Sequence, residues 1–169
     1  NMSEQKEVNR DQRIRVGISH GDINGIGLEV ILKTFAEPML LELCTPVLFS
    51  SQKTIAVHRK ALGGDDVNFF VMRDTDAAQH RRFNLVNVYD EEVPVTLGTA
   101  DPAVGKYALR SLEAACNALE QGKIDVLVTA PINKHTIHSE AFPFAGHTEY
   151  LQQRFGAKSS LMLMTADNL

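Results

Sequence analysis

"RIRVGISHGDINGIGLEVILKTF", residues 13–35, decides how the rest of the chain is read. Arg13–Ser19 alternates charged and apolar residues and then turns apolar, which predicts a strand. "HGDINGIG", residues 20–27, is dense in turn formers. From Ile26 to Ala36 the apolar positions Ile26, Val30, Ile31 and Phe35 recur at helical spacing. Strand, glycine loop and helix form the opening unit of an α/β fold.

The alternation continues. "TPVLFS" (45–50) reads as a second strand. Ser51 is placed to cap a helix that ends near Leu62 at Gly63-Gly64. "VNFFVM" and "FNLVNV" read as the third and fourth strands, and residues 89–99 as an extended loop. Pro102 suits the first turn of a helix capped by Thr99 or Asp101. That helix turns Tyr107, Leu109, Leu112, Ala115, Cys116 and Leu119 inward and stops at Gly122. "IDVLVTA" is apolar enough for a strand buried on both faces. Thr148 is placed to cap a helix over 149–155, and "SLMLMT" reads as a sixth strand. Strands alternating with helices predict an α/β fold with a mostly parallel sheet and flanking helices. Residues 1–12 are expected to be a disordered tail. Residues 13–169 are expected to be the N-terminal α/β portion of a longer protein, since no helix closes the last strand.

Composition narrows the function. With 169 residues, 44% hydrophobic and 22% charged, the chain has the makeup of a soluble globular domain. A net charge of −4 offers no broad basic surface, so nucleic acid is not an expected partner. No apolar run approaches the ~20 residues needed to cross a bilayer, so no membrane is expected either. "NMSEQKEVNRDQRIR" is polar throughout and has no leader-like segment. Cys44 and Cys116 stand in no metal or redox motif and are read as buried free thiols. A cytoplasmic setting fits these features.

Three stretches carry candidate chemistry. In the glycine loop, Gly25-x-Gly27 fails as a dinucleotide fingerprint because Val30 holds the third glycine position, and no Lys-Ser/Thr makes it a Walker A loop. Asp22, Asn24 and Gly25 remain as an anion-binding loop or as a tight strand-to-helix turn with Asp22 as local cap. In "VTAPINKHTIH" (128–138), Thr129 and Ala130 fall at the carboxyl end of a strand, where open α/β sheets bind ligands. Lys134 follows at a helix start, either as a phosphate partner or as a solvated surface lysine. His135 and His138 share a helical face, but two ligands hold a metal poorly, so exposure is expected. In "AFPFAGHTEY" (141–150), nothing is read as needed for a core. Gly146 allows close approach to a ligand. His147 precedes a helix whose free amides favour anions, and Thr148 offers a hydroxyl to a ligand or to its own helix. Glu149 sits in the first turn, where negative charge is favoured. His20, His58 and His80 are read as structural.

Taken together, "GISHGDINGIGLEV", "VLVTAPINKHTIHSEAFPFAGHTEYLQQRFG" and "LMLMTADNL" resemble the 4-hydroxythreonine-4-phosphate dehydrogenase family of vitamin B6 (pyridoxal 5′-phosphate) biosynthesis. Order and spacing match from about Arg13 to Leu169. The family's loop usually reads Gly-Asp-Pro-x-Gly-Ile-Gly-Pro-Glu. Here Ile23 and Leu28 replace the prolines, which changes loop stiffness.

The resemblance implies a fold like isocitrate and isopropylmalate dehydrogenases, which hold NAD without the Rossmann fingerprint. It implies NAD-dependent oxidation of the 3-hydroxyl of 4-phosphohydroxy-L-threonine, with loss of CO₂ to give 3-amino-2-oxopropyl phosphate. A divalent metal (commonly zinc, alternatively magnesium or cobalt) acts as Lewis acid. The family is a homodimer with its active site between domains, near the subunit interface, and its substrate is a small phosphorylated amino acid. By position, His147 and Thr148 are the substrate-contacting residues. The resemblance places the metal histidines and the NAD-binding stretches beyond Leu169. The chain alone is therefore expected to be inactive and to hold neither NAD nor metal tightly.

Other readings are a paralogous dehydrogenase of another phosphorylated or aromatic hydroxy acid, an acyltransferase of the phosphate acetyltransferase type, and a non-catalytic domain that binds a phosphorylated metabolite.

Overall fold

The structure, a computed structural model, describes residues 13–63 and 67–162. Five strands, β1 (Arg15–Ser19), β2 (Thr45–Ser50), β3 (Phe69–Met72), β4 (Phe83–Asn87) and β5 (Val126–Thr129), form one sheet in the order β3-β4-β2-β1-β5. Every pairing is parallel. The helices are α1 (Gly27–Phe35), α2 (Pro38–Leu43), α3 (Gln52–Leu62), α4 (Gly105–Glu120), α5 (Lys134–Ile137) and α6 (His147–Arg154). The α/β class and the parallel sheet are as the sequence predicts; the short α2, which has no fully buried residue and packs on the core through half-buried Leu41, is not legible in it.

Two cores flank the sheet. On one face Leu28, Ile31 and Leu32 of α1 and Ile55 of α3 pack on Ile18, Leu48 and Leu85. On the other, Ala115 and Ala118 of α4 cover Val47, Phe49 and Val86. The buried stripe of α1 is thus Leu28, Ile31 and Leu32; Ile26 and Val30 point outward at 62% and 51% exposure. Helical spacing fits either stripe, and the sheet selects the one carrying Leu28.

Helix ends follow their local chemistry. Asp101 accepts from the Ala103 amide at 2.9 Å and caps the 3₁₀ turn Pro102–Val104 that leads into α4. Gly63 ends α3 in the left-handed region. Ser51 occupies the N-cap of α3 but its hydroxyl makes no capping bond; the Gln52 amide donates to Asn87 Oδ1 instead.

β5 departs from expectation. It is an edge strand beside β1, and Val126 and Val128 are 42% and 49% exposed. An apolar run signals burial only where elements cover both faces, and among the described residues none covers these two valines. Of the expected sixth strand, Ser160–Met162 carry no strand pairing and the rest lies outside the described residues, as does the expected tail 1–12. Cys44 and Cys116 are free thiols; Cys116 is buried and Cys44 half-buried.

Candidate functional site

The carboxyl ends of β1 and β5 define the site. β1 leads into α1 on one face of the sheet. β5 leads into α5 and α6, which pack on α4 on the other face through Ile137, Tyr150, Leu109 and Leu112. Neighbouring parallel strands whose continuations diverge in this way open the crevice where α/β folds bind ligands.

The glycine loop closes the floor. Gly21 has φ +68°, and a Cβ there would lie 2.3 Å from the Pro131 carbonyl oxygen; at Gly27 it would lie 2.9 Å from Ala130 Cβ. These glycines let the segment after β5 pack against the loop after β1. Gly25 is held near Asp22, to whose carbonyl its amide donates at 3.0 Å. Asp22 Oδ1 accepts from the Asn24 amide, so the local-cap reading of Asp22 is realised. Asn24 is buried and both ends of its side chain are bonded. Oδ1 accepts from the Thr96 amide at 2.9 Å, and Nδ2 donates to Thr99 Oγ1 at 3.3 Å. Asn24 thereby ties the loop to residues 96–99.

Beneath the loop, His20 is fully buried, with Nε2 3.2 Å from the Tyr107 carbonyl. Burial pushes its pKa down to about 3, which keeps the ring neutral. His58 meets the Ile23 carbonyl at 2.7 Å and His80 meets Thr45 Oγ1 at 2.6 Å. These bonds tie all three rings to the fold, while His20 Nδ1 is buried with no partner among the described residues.

After β5, Asn133 caps α5 by accepting from the His135 and Thr136 amides at 3.0 and 3.2 Å. This fixes the start of the turn that carries Lys134. Lys134 is exposed and makes no ion pair among the described residues. Its Cε would lie 3.7 Å from a Cβ at Gly146, so its stem runs alongside that glycine. His135 and His138 are exposed. Among the described residues no three His, Cys, Asp or Glu side chains come together as a metal site. The residues in hand therefore do not fit the implied metal, and no step is derived through it.

The segment 141–150 does build core, contrary to expectation. Phe142 is fully buried, and Phe142, Phe144 and Tyr150 pack mutually with ring centroids 5.2–5.4 Å apart. Proline and glycine masked this aromatic knot, which follows no helical or strand period. Its consequence is a rigid seat for the next four residues. Gly146, not Thr148, is the N-cap of α6, and no side chain caps this helix. Glu149 lies at the third helical position and accepts from the Ala145 amide at 3.0 Å. Gly146 and Glu149 have the spacing of a capping box with glycine in the first place, a signal the sequence carries. Thr148 is exposed, at the second helical position, and makes no hydrogen bond among the described residues. His147 is half-buried; its Nε2 is shielded from solvent and has no partner among the described residues, and burial lowers its pKa.

The result is a helix start with uncapped amides, a free hydroxyl, a neutral imidazole with an unsatisfied nitrogen, and a lysine stem alongside. Helix-start amides carry partial positive charge and suit an anion.

The family pattern of "Pyridoxal phosphate biosynthetic protein PdxA" matches residues 42–169. A 4-hydroxythreonine-4-phosphate dehydrogenase from Bacteroides thetaiotaomicron is 51% identical over 159 residues, 93% of this chain and 43% of that one. A D-threonate 4-phosphate dehydrogenase from Cupriavidus necator is 29% identical, over 91% of this chain and 46% of that one. The crystal structure of a 4-hydroxythreonine-4-phosphate dehydrogenase from Burkholderia phymatum superposes with a TM-score of 0.76 at 25% identity, covering 87% of this chain and 45% of the other. The chain thus spans less than half the length of these relatives. With the pattern matched over most of its length and the fold shared, the chain belongs to the family of the pyridoxal phosphate biosynthetic protein PdxA.

Proposed function

We propose that this chain supplies the substrate-holding half-site of an NAD-dependent dehydrogenase. That enzyme oxidises 4-phosphohydroxy-L-threonine and releases CO₂ to give 3-amino-2-oxopropyl phosphate in pyridoxal 5′-phosphate synthesis. The observation that carries the reading is the unspent donor set at α6. Among the described residues His147 Nε2 is shielded and unpartnered, the Thr148 hydroxyl is unbonded, and no side chain caps the helix amides. A buried polar atom left without a partner costs free energy unless something else satisfies it. A phosphorylated hydroxy acid brings the acceptors and negative charge that would do so.

In this reading the amides of α6 and Thr148 Oγ1 hold the anionic end of the substrate. His147 fixes its orientation by a hydrogen bond, and Lys134 adds a mobile positive charge beside Gly146. Asp22 and Gly25 form the floor, through contacts that hold the loop rather than the ligand. NAD and the metal ion would supply hydride acceptance and Lewis acidity when bound; the resemblance assigns both to sequence beyond this chain, and it implies a homodimer. The chain by itself is then inactive.

The relatives' names share a four-carbon acid phosphorylated at its last carbon, so 4-phosphohydroxy-L-threonine and D-threonate 4-phosphate are the two substrates to separate. The test is NADH formation by the complete gene product on each. Turnover of 4-phosphohydroxy-L-threonine supports the reading. Turnover of D-threonate 4-phosphate alone replaces it with the paralogous dehydrogenase, and coenzyme A-dependent acyl transfer without NAD would sink it.

A further inference from the structure

We propose that Glu149 is a positioning residue: it holds Ala145–Thr148 in the geometry that presents the α6 amides and His147, without itself touching the ligand. The inference rests on the reading that α6 receives the substrate's anion.

Three observations carry it. The Glu149 carboxylate turns back along the chain and accepts from the Ala145 amide through Oε2 at 3.0 Å, which closes a loop around Gly146. Gly146 has extended backbone (φ 177°, ψ −167°) and carries no side chain to cap the helix, so besides the backbone bond from the Tyr150 amide to the Gly146 carbonyl at 3.3 Å the corner depends on Glu149. On either side the chain is anchored: Phe142 and Phe144 pack on Tyr150, and Arg154 binds Glu120 at 3.2 Å and the Tyr150 hydroxyl at 2.9 Å. The corner at 145–148 is therefore a short span between two anchored points, and among the described residues the Glu149–Ala145 bond is the one side-chain hydrogen bond across it.

A carboxylate in the first turn would repel a bound anion if it faced the ligand. Drawn back onto the Ala145 amide, it contributes an acceptor to the loop. Its charge is then dispensable and its reach is not. Gln has the same length and keeps a carbonyl acceptor; Asp keeps the charge but is one methylene shorter.

The experiment compares Glu149→Gln, Glu149→Asp and Glu149→Ala with the parent chain by amide hydrogen exchange at Ala145 and by titration with inorganic phosphate, read at the Gly146–Thr148 amide resonances. Thermal midpoints serve as the fold control. Glu149→Gln should keep slow exchange at Ala145 and the parent's phosphate response. Glu149→Asp and Glu149→Ala should both lose the protection and weaken phosphate binding by roughly three- to tenfold. If Glu149→Asp behaves as the parent while Glu149→Gln behaves as Glu149→Ala, the charge matters rather than the reach, and the proposal fails. It fails too if Ala145 exchanges equally fast in all four chains. If the parent shows no response to phosphate, the reading of the site under Proposed function is wrong, and the exchange measurement alone decides whether Glu149 holds the corner. Should Glu149→Ala not fold, the Gln and Asp pair decides the same question.

Discussion

The Asp22 amide donates to the Pro131 carbonyl oxygen at 2.9 Å, joining the loop after β1 to the segment after β5 across more than a hundred residues of sequence. Gly21 makes this bond possible, because its φ of +68° and its missing Cβ bring the two backbones together. Gly21→Ala should therefore destabilise the chain by about 2 kcal/mol or more, from left-handed strain plus a backbone clash. Gly63→Ala, equally left-handed but with nothing within 4 Å of its Cβ, should cost only the strain, about 1 kcal/mol. Urea unfolding of both variants checks the difference. Equal losses would mean that the Pro131 contact contributes nothing.

His147→Ala and Thr148→Ala should separate binding from stability. Thr148 is the second residue past the N-cap and its hydroxyl bonds to nothing among the described residues, so its loss should leave the thermal midpoint within experimental error. Each substitution should weaken substrate binding in the complete enzyme by roughly ten- to a hundredfold, the cost of removing a hydrogen bond to a charged ligand. A large drop in midpoint for Thr148→Ala with normal KM would return Thr148 to a structural role.

Stability should fall with acid through the buried histidines. In the folded chain His20 titrates at about 3, against an ordinary value of 6.5. Above pH 6.5 neither the folded nor the unfolded chain protonates this ring. Below it, the unfolded chain takes up a proton that the folded chain refuses until about pH 3, so stability declines across that window. By pH 5 the loss from His20 alone should be about 2 kcal/mol. The lowered pKa values of His58 and His147, both from burial, act in the same direction. Denaturant midpoints at pH 7 and pH 5 for the parent and for His20→Gln test this. A variant that folds and keeps the parent's full pH slope would refute the assignment to His20.

What the sequence made legible follows from range. Strand and helix periods are local, and the order of elements from β1 to α4, the short α2 apart, is read directly from them. The meaning of the glycine loop is not local. The loop around Asp22, Asn24 and Gly25 reads as an anion loop or a tight turn, but the atoms that demand glycine at 21 and 27 belong to Ala130 and Pro131. Asn24 looks like a ligand donor until Thr96 and Thr99 are seen to occupy its amide group. At α6 the error was one of phase. Threonine and glycine are comparable N-caps, and the start of the helix is set by the Phe142–Phe144–Tyr150 knot and by Glu149 reaching Ala145. Moving the cap from Thr148 to Gly146 is what frees the hydroxyl, so the same correction strengthens the candidate site.

Gly146 itself supplies the last test. The glycines at 21 and 27 answer an internal demand, since a side chain there would collide with backbone or with Ala130. Gly146 answers none: its φ is extended, and a Cβ would make only ordinary contact with Lys134 Cε at 3.7 Å. Serine is a better N-cap than glycine, because its hydroxyl accepts from an amide in the first turn. Gly146→Ser should thus stabilise the chain by a few tenths of a kcal/mol. The same hydroxyl would occupy an amide that the site offers to an anion and would crowd the approach beside Lys134. Binding of the phosphorylated substrate should therefore weaken as the fold gains, a trade that arises where a site is kept open at the expense of stability. Thermal midpoint and phosphate titration on this one variant give both readings. If Gly146→Ser raises the midpoint and leaves phosphate affinity unchanged, the α6 amides are not the anion site, and the open N-cap needs another explanation.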